Sequence, residues 1–322
     1  MRSFLIGAVE STKIALEVMI DKGIKPIIVT LPLSHSYRHS DYVDLRPYAD
    51  KWGLGLLETT NINSDEMINE IKKYHPDYIF VIGWSQIIKK ELLNIPKRGV
   101  IGYHPAPLPR NRGRGVIPWT ILLGEKETGS TLFWIDEGID SGDILIQQKF
   151  FVDEDETART LYAKHIKVLR SMMPKALELL KCDNPPRVSQ DHSKATYCAK
   201  RTPEDGFINW EWSAKTVWTL IRAVTKPYPG AFTYYNNKKI IIWEASYIDD
   251  NAYIGLPGQI QKISKEGIIV TCGDGKCLFL KEMEIENETE IGVTKAFKIH
   301  DKFGINFLDV YKKFLEIEKK NE

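Results

Sequence analysis

The chain has 322 residues, of which 43% are hydrophobic and 27% charged, the composition of a soluble globular protein with one large domain or two ordinary ones. Lys+Arg number 44 and Asp+Glu 43, so the net charge of +1 provides no global attraction for nucleic acid or for a membrane. With neither a signal-peptide pattern nor an apolar run long enough to span a bilayer, we expect a cytoplasmic protein.

Short apolar runs alternate with helical patterns through the first part of the chain. The predicted strands are 1–6, 26–30, 78–82, 99–103, 131–134 and 144–147. Ile14, Ala15, Val18 and Met19 recur at helical spacing, and further helices are predicted over 65–74 and 157–180. Alternating strands and helices predict an α/β domain with a Rossmann-like, mostly parallel sheet.

The sequence pattern changes after the last of these helices. Residues 181–191 contain Pro185 and Pro186 and have the composition of a linker. From about residue 256, short apolar runs punctuated by glycine predict a small, OB-like β-barrel. We therefore predict three parts, namely a catalytic domain over 1–188, a linker that contacts substrate over 189–205 and a β-barrel-like domain over 206–322.

A histidine and a carboxylate-rich turn are the features that suggest chemistry. The strand 99–103 delivers His104 at its carboxyl end, where ligands bind in open α/β sheets. The turn 136–143 carries four carboxylates, one of them Asp140. A histidine and a carboxylate presented from neighbouring strand ends can act as an acid–base pair, in which the carboxylate fixes the imidazole tautomer. The residues alone thus predict an α/β enzyme with a His/Asp site.

Other common sites find no support in the sequence. The carboxylates of the turn lack the alternating spacing of an EF-hand calcium loop. The chain has no dinucleotide fingerprint, no phosphate-binding P-loop and no nucleophile elbow. Its four cysteines form no metal-spaced pair, which predicts reduced thiols and no metal site.

Three motifs follow one another at specific spacing: His104-Pro105-x-Pro107-Leu108-Pro109, Arg112-Gly113 and Gly138-Ile139-Asp140-Ser141-Gly142-Asp143. Together they resemble the core signature of the folate-dependent formyltransferases, a family that includes the methionyl-tRNA formyltransferases. Residues 200–205 and 227–232 look like the C-terminal half of the same family. The resemblance extends from residue 4 to about residue 282.

The resemblance implies transfer of a formyl group from 10-formyltetrahydrofolate, a co-substrate, to a primary amine without a metal. His104 would act as base or as oxyanion donor, with Asp140 tuning it. The residues implied for folate binding are Val81, Ile82, Trp84, Leu108, Pro109, Gly138 and Ile139. Those implied for substrate binding are Gly102, Arg112, Arg114, Arg201, Glu204 and Arg222. Core packing is the alternative for Trp84, and a solvated loop or a structural ion pair is the alternative for Arg110 and Arg112.

One position departs from the family pattern. The family has an asparagine two residues before the histidine, where this chain has Gly102. Loss of one oxyanion donor typically costs about two to three decades in rate. A backbone amide, a water or another side chain must therefore replace it, or the protein is instead a formyltetrahydrofolate hydrolase.

The acceptor amine is suggested by charge and by similarity. The segment after the second strand lacks the basic insertion of methionyl-tRNA formyltransferases. Arg112-Gly113-Arg114 and residues 200–205 are instead similar to the formyltransferase half of the enzyme that modifies UDP-4-amino-4-deoxyarabinose. Arginines suit a pyrophosphate.

We therefore expect a nucleotide-linked amino sugar as substrate, specifically a UDP-linked 4-amino-4,6-dideoxy sugar such as a precursor of pseudaminic-type acids, on a route to surface polysaccharide. The expected partners include neither nucleic acid nor membrane. Sugar formyltransferases of this kind are often homodimers, but the oligomeric state of this chain stays open. Methionyl-tRNA, formyltetrahydrofolate hydrolysis and a folate-binding module without turnover remain alternatives. The nucleotide base, the sugar configuration and the ring carbon that bears the amine stay open.

Overall fold

The computed structural model describes residues 1–248, 252–287, 296–305 and 307–321. The chain divides into two compact units, Met1–Lys200 and Arg201–Glu322. The predicted linker 189–205 is split by this division, because residues 189–200 belong to the N-terminal unit.

Most strands of the N-terminal unit form one sheet. They are β1 (Ser3–Ile6), β2 (Ile27–Thr30), β3 (Leu56–Glu58), β4 (Tyr78–Val81), β5 (Gly99–His104), β6 (Arg112–Gly113), β7 (Glu127–Trp134), β8 (Ile144–Phe151) and β9 (Tyr197–Cys198). Seven pair in the order β3-β2-β1-β4-β5-β7-β8, and β6 and β9 form a separate parallel pair. Strands β1 to β5 run parallel, and β7 and β8 are each antiparallel to the strand before them in the sheet. Every residue of β1 and β4 is buried, as expected of parallel strands covered on both faces.

Helices cover both faces of this sheet. They are α1 (Glu10–Asp21), α2 (Arg46–Trp52), α3 (Asp65–Lys73), α4 (Lys90–Leu93), α5 (Val116–Leu122) and α6 (Ala158–Leu179). One core joins α1 and α6 to the sheet, and a second core joins α3 and α4 to the opposite face. The hydroxyl of Thr157 accepts a hydrogen bond from the amide of Thr160 and so caps the start of α6. The helices predicted over 65–74 and 157–180 are confirmed to within one residue at each end.

The C-terminal unit is an antiparallel sheet with a packed helix. Its described elements are α7 (Ala214–Val224), β10 (Ala231–Tyr235), β11 (Lys238–Ile248), β12 (Ile260–Ile263), β13 (Ile268–Thr271), β14 (Cys277–Ile285) and α8 (Phe307–Asn321). The strands pair in the order β10-β11-β14-β13-β12. The indole Nε1 of Trp218 on α7 donates to the carbonyl of Ala245 on β11 at 3.0 Å. The predicted fold class, a mostly parallel α/β domain followed by a smaller β domain, is confirmed. The described strands of the smaller domain form one antiparallel sheet, and its closure into an OB-like barrel stays a prediction.

No helix in the described ranges is long and apolar enough to cross a membrane.

Candidate active site

The imidazole of His104 is fixed at one nitrogen. His104 is the last residue of β5, and its side chain is only 5% exposed. Its Nε2 lies 2.7 Å from the main-chain carbonyl oxygen of Asn111. A carbonyl only accepts hydrogen bonds, so Nε2 carries the proton and the neutral ring leaves Nδ1 free as a base.

A carboxylate faces that free nitrogen. Oδ2 of Asp140 lies 3.7 Å from Nδ1 of His104 and accepts a 2.8 Å hydrogen bond from the amide of Gly113. Asp140 has a positive φ of 48°, a conformation that non-glycine residues adopt only rarely. The carboxylate is thus positioned to stabilise the imidazolium that forms when Nδ1 takes a proton.

The turn that carries Asp140 reaches His104 by an indirect route. Strand β7 is antiparallel to β5, with Trp134 opposite Ile101 and Thr131 opposite His104. The turn 136–143 therefore begins beside the first half of β5. To reach His104 it must run back along the face of the sheet. The predicted pair is brought together, although not by two neighbouring strand ends.

The loop after His104 folds back over the sheet. The hydroxyl of Thr131 donates to the carbonyl of Ala106 at 2.7 Å, and Nε2 of Gln147 donates to the carbonyl of Leu108 at 2.9 Å. Leu108 and Pro109 line a cavity of about 560 Å³ together with basic and acidic side chains from residues 110–149 and Lys194. This cavity is not lined by His104 or Asp140.

Hydrocarbon fills the space beside Gly102. A Cβ built on Gly102 would lie 2.8 Å from Cε1 of Phe133 and 2.8 Å from Cγ1 of Ile135. Real Cβ atoms essentially never approach other atoms so closely. The position two residues before His104 therefore has no room for an amide side chain in this packing, and the predicted substrate contact at Gly102 can come only from its main chain.

The three arginines of the loop have three different environments. Arg112 is only 2% exposed and donates to Gln190, Tyr197 and His192. Arg110 pairs with Glu125 at 2.6 Å, as the ion-pair alternative predicted. Arg114 is exposed and donates to the carbonyl of Ser85. The buried position of Arg112 favours a structural role, whereas Arg114 is accessible to a ligand.

The predicted folate residues near β4 divide into core and edge positions. The side chain of Ile82 is fully buried in the core, and its carbonyl accepts a 2.6 Å hydrogen bond from Thr12. Val81 is also buried, at the carboxyl end of β4. Trp84 is half-buried, and its indole Nε1 is buried without a hydrogen-bond partner among the residues that the structure describes. An unpaired donor of this kind suits an acceptor on a heteroaromatic ligand.

The predicted residues Gly138 and Ile139 precede Asp140 in the turn. The amide of Gly138 donates to Oδ1 of Asp136 at 3.0 Å, which shapes the turn. Ile139 is 54% exposed, so it offers apolar surface directly beside the carboxylate.

The remaining predicted substrate residues belong to the C-terminal unit. Nη2 of Arg201 donates to the carbonyl of Asp205 at 2.8 Å. Hydrogen bonds from its own backbone and from Thr202 lower the pKa of Glu204. The guanidinium of Arg222 lies 4.0 Å from the ring centroid of Trp218. Their roles stay predictions.

Sequence reasoning missed several polar residues around the site. The main-chain carbonyl of Asn111 contacts Nε2 of His104, and the main-chain amide of Asn111 donates to the hydroxyl of Thr196 at 2.8 Å. Gln190 contacts both Arg112 and the turn of Asp140. The many polar residues in 189–197, which belong to the segment predicted as a substrate-contacting linker, are the signal that the sequence offers.

A second histidine lies behind the site. Nδ1 of His165 on α6 is 2.9 Å from the hydroxyl of Ser130, which lies 3.0 Å from that of Tyr103. Burial, assisted by the nearby His104, lowers the pKa of His165 to about 3. His165 is therefore neutral at physiological pH.

No group of three or more His, Cys, Asp or Glu side chains in the described residues could hold a metal ion.

Family models match both units of the chain. The model described as formyl transferase matches residues 8–177, and the model of the formyl transferase C-terminal domain matches residues 200–301. The chain belongs to the formyl transferase family. The family and enzyme class predicted from the motifs are thereby confirmed.

Relatives of this formyl transferase differ in their named substrates. The methionyl-tRNA formyltransferase of Ruminiclostridium cellulolyticum is 30% identical over 97% of this chain and 99% of its own. An N-formyltransferase from Helicobacter canadensis, solved with folinic acid and dTDP-3-aminofucose, has a TM-score of 0.66 and 19% identity over 87% of this chain and 99% of its own. The sugar 3N-formyltransferase WlaRD, solved with dTDP and 5-N-formyl-THF, has a TM-score of 0.64 and 19% identity over 89% of this chain and 98% of its own. At this identity the two solved structures show the shared fold.

Proposed function

We propose that this formyl transferase moves a formyl group from 10-formyltetrahydrofolate to the primary amine of a nucleotide-linked amino sugar. Within this class we propose a UDP-linked 4-amino-4,6-dideoxy sugar as the specific substrate. The observation that carries the proposal is the His104–Asp140 pair, with Nδ1 and Oδ2 3.7 Å apart, in a chain whose two units both match formyl transferase models.

The pair handles the proton that the amine must lose. The folate, when bound, supplies the formyl group. His104 accepts the proton at Nδ1, because its Nε2 is already committed to the carbonyl of Asn111. Asp140 stabilises the resulting imidazolium, while the amide of Gly113 holds the carboxylate in place.

The residues present fit a folate ring at this edge of the sheet. The unpaired Nε1 of Trp84 supplies a hydrogen-bond donor, and the exposed Ile139 supplies apolar surface beside Asp140. Val81, Ile82, Gly138, Leu108 and Pro109 stay predicted folate contacts.

Charge and accessibility support a small phosphate-bearing acceptor. Arg114 is exposed near the site loop, where a guanidinium suits a pyrophosphate. Arg201, Glu204 and Arg222 stay predicted substrate contacts, and any contact from Gly102 comes from its main chain. The two structural neighbours were solved with dTDP or a dTDP-linked amino sugar, which supports the nucleotide-sugar class.

A second candidate acceptor is methionyl-tRNA. It is favoured by curated relatives that carry this name and are 30% identical over nearly the whole chain. The neutral net charge argues against it, because tRNA binding depends on neutralising many phosphates.

A direct assay separates the candidates. Purified protein and 10-formyltetrahydrofolate are incubated with UDP- and dTDP-linked 3-amino and 4-amino sugars, with methionyl-tRNA, or without amine, and products are identified by mass spectrometry. We expect a formylated amino sugar. Formylation of methionyl-tRNA alone would refute the proposal. Formate release without any amine would establish the alternative activity, formyltetrahydrofolate hydrolysis.

Location and assembly belong to the same proposal. The proposed reaction would take place in the cytoplasm, on a route to surface polysaccharide. The four cysteines are free thiols, as is usual in a reducing compartment. Homodimer formation stays a prediction that sedimentation would test.

A further inference from the structure

Gln190 connects the two loops that form the site. Its Nε2 donates to the main-chain carbonyl of Asp140 at 2.9 Å and to that of Gly142 at 2.7 Å. Its Oε1 accepts from Nη2 and Nε of Arg112 at 2.6 and 3.2 Å. Both ends of one buried amide are therefore occupied, and they join the His104 loop to the Asp140 turn.

The backbone around Gln190 is itself anchored. Val188 and Ile144 exchange two main-chain hydrogen bonds of 2.8 and 3.0 Å, and the hydroxyl of Ser189 donates to Asp143 at 3.0 Å. The segment 188–190 thus lies along the start of β8. The main chain of Gln190 is consequently fixed in place, so its side chain can hold the turn.

Arg112 strengthens this connection. Its guanidinium is buried, and the acceptors that it contacts, which are Gln190, His192 and Tyr197, carry no negative charge. A cation that hydrogen-bonds the amide oxygen of Gln190 polarises the amide and makes its N–H groups stronger donors.

We propose that Gln190 is a positioning residue of the formyl-transfer site, which holds the main chain of Asp140 so that its carboxylate faces Nδ1 of His104. The inference rests on the proposed function. Asp140 needs such a restraint because its backbone is in the left-handed region, and within the described part of the chain its carboxylate contacts only the amide of Gly113 and the ring of His104.

Gln190→Glu separates positioning from folding. The carboxylate keeps the shape of the side chain and pairs with Arg112, so the buried guanidinium stays satisfied. It has no N–H groups, however, and so cannot donate to the carbonyls of Asp140 and Gly142. Gln148→Glu is the matched control, because Gln148 contacts Ser171 on the opposite face of the sheet.

Steady-state kinetics with the accepted amine give the first readout. We expect Gln190→Glu to lower kcat about 10- to 100-fold, as a misplaced catalytic group does, with KM within about threefold of the wild-type value. In the Asp140→Asn background the same substitution should have almost no further effect, because Gln190 acts through Asp140. An unchanged kcat, or an equal loss in both backgrounds, would overturn the inference.

Amide exchange gives a readout that does not depend on turnover. The amide of Gly113 is protected by its bond to Asp140. NMR should show faster exchange at Gly113 in Gln190→Glu and no change in Gln148→Glu. A wild-type protein that transfers no formyl group would refute the proposed function, while faster exchange at Gly113 would still support positioning by Gln190; unchanged exchange would refute the positioning whatever the activity.

Discussion

His104 combines burial with a free ring nitrogen. A buried histidine is usually satisfied at both nitrogens, but here one nitrogen is bonded to a main-chain carbonyl and the other faces a carboxylate at 3.7 Å. The proton-handling atom is thus defined by the neighbouring chain. Catalysis should depend on the charge at Asp140 as well as on the ring of His104.

Replacement of either residue should therefore lower transfer sharply. His104→Gln retains a donor toward Asn111 but no base, and Asp140→Asn retains an acceptor for Gly113 but no charge. We expect each to reduce kcat/KM about 10²- to 10⁴-fold. The control is His75→Asn, because His75 is exposed before the amino end of β4. Full activity in either site variant, measured by formylated product, would contradict the assignment.

The asparagine of the family should not fit at Gly102. Its Cβ would meet Phe133 and Ile135 at 2.8 Å, and overpacking of this kind typically costs about 1–3 kcal/mol. Urea unfolding of Gly102→Asn should show this loss and no gain in activity. Adding Ile135→Ala should recover part of the stability, because the two positions compete for one space. A fully stable single variant would show that the space can open.

At the residue scale, the sequence identified candidate catalytic residues better than it identified the burial and the partners of charged side chains. His104 and Asp140 could be chosen from the strand end and the turn composition, but the path that brings them together could not, because the turn 136–143 follows an antiparallel strand. The burial of Arg112 was not, because its acceptors Gln190 and Tyr197 come 78 and 85 residues later in the chain. Charge in a glycine-rich loop indicates solvent exposure unless distant partners are known.

Helix α6 covers a row of hydrogen-bonded polar side chains behind the site. His165, Ser130 and Tyr103 form hydrogen-bond contacts beneath the helix, and the Nε2 of His165 has no partner within the described residues. A histidine with a lowered pKa stays neutral in the folded protein but accepts a proton when the chain unfolds. Its contribution to stability is therefore present above pH 6.5 and lost as the pH falls toward about 3.

The replacement His165→Asn should flatten the acid dependence of stability. Between pH 7 and 4.5 the wild-type protein should lose about 2–3 kcal/mol more unfolding free energy than the variant. Asparagine preserves a hydrogen bond to Ser130 but does not titrate. Urea unfolding followed by circular dichroism at several pH values measures the difference, and parallel curves for the two proteins would contradict it.

At the element scale, the buried strands could be predicted from the sequence, and the short or exposed strands could not. Strands β1, β2, β4 and β5 are apolar runs, and they were predicted nearly residue by residue. Strand β3 was missed, because it has three residues, half or fully exposed, at the edge of the sheet. Strands β6 and β9 were missed because two-residue pairs carry no periodic signal.

At the scale of the whole molecule, the balance of charge predicts weak salt dependence. A nucleotide-linked sugar presents one diphosphate, whereas neutralising six to ten phosphates loses about 10³- to 10⁵-fold in affinity between 50 and 200 mM salt. We expect the KM for the amine substrate to change less than about tenfold over that range. A steeper dependence in steady-state assays would point to the polyanionic acceptor.

The N-terminal unit should fold without the remainder of the chain. A fragment 1–200 keeps both cores and the β6–β9 pair, so it should unfold cooperatively in urea. A fragment 1–188 keeps the seven-stranded sheet but loses Gln190, Thr196 and β9. NMR should therefore show a protected Gly113 amide in the longer fragment only. Equal protection in both would show that residues 189–200 do not support the site.

The return of residues 189–200 to the His104 loop also sets an order for biosynthesis. Arg112 and Tyr197 are 85 residues apart, so at about 5–20 residues per second the loop waits roughly 4 to 17 s on the ribosome for its partner strand. During that interval the nascent sheet can assemble, but Asp140 and the loop lack the contacts that Gln190 and β9 provide. A truncated translation product ending before Gln190 would thus fold its sheet but lack the contacts that position Asp140, and its transfer activity would be low.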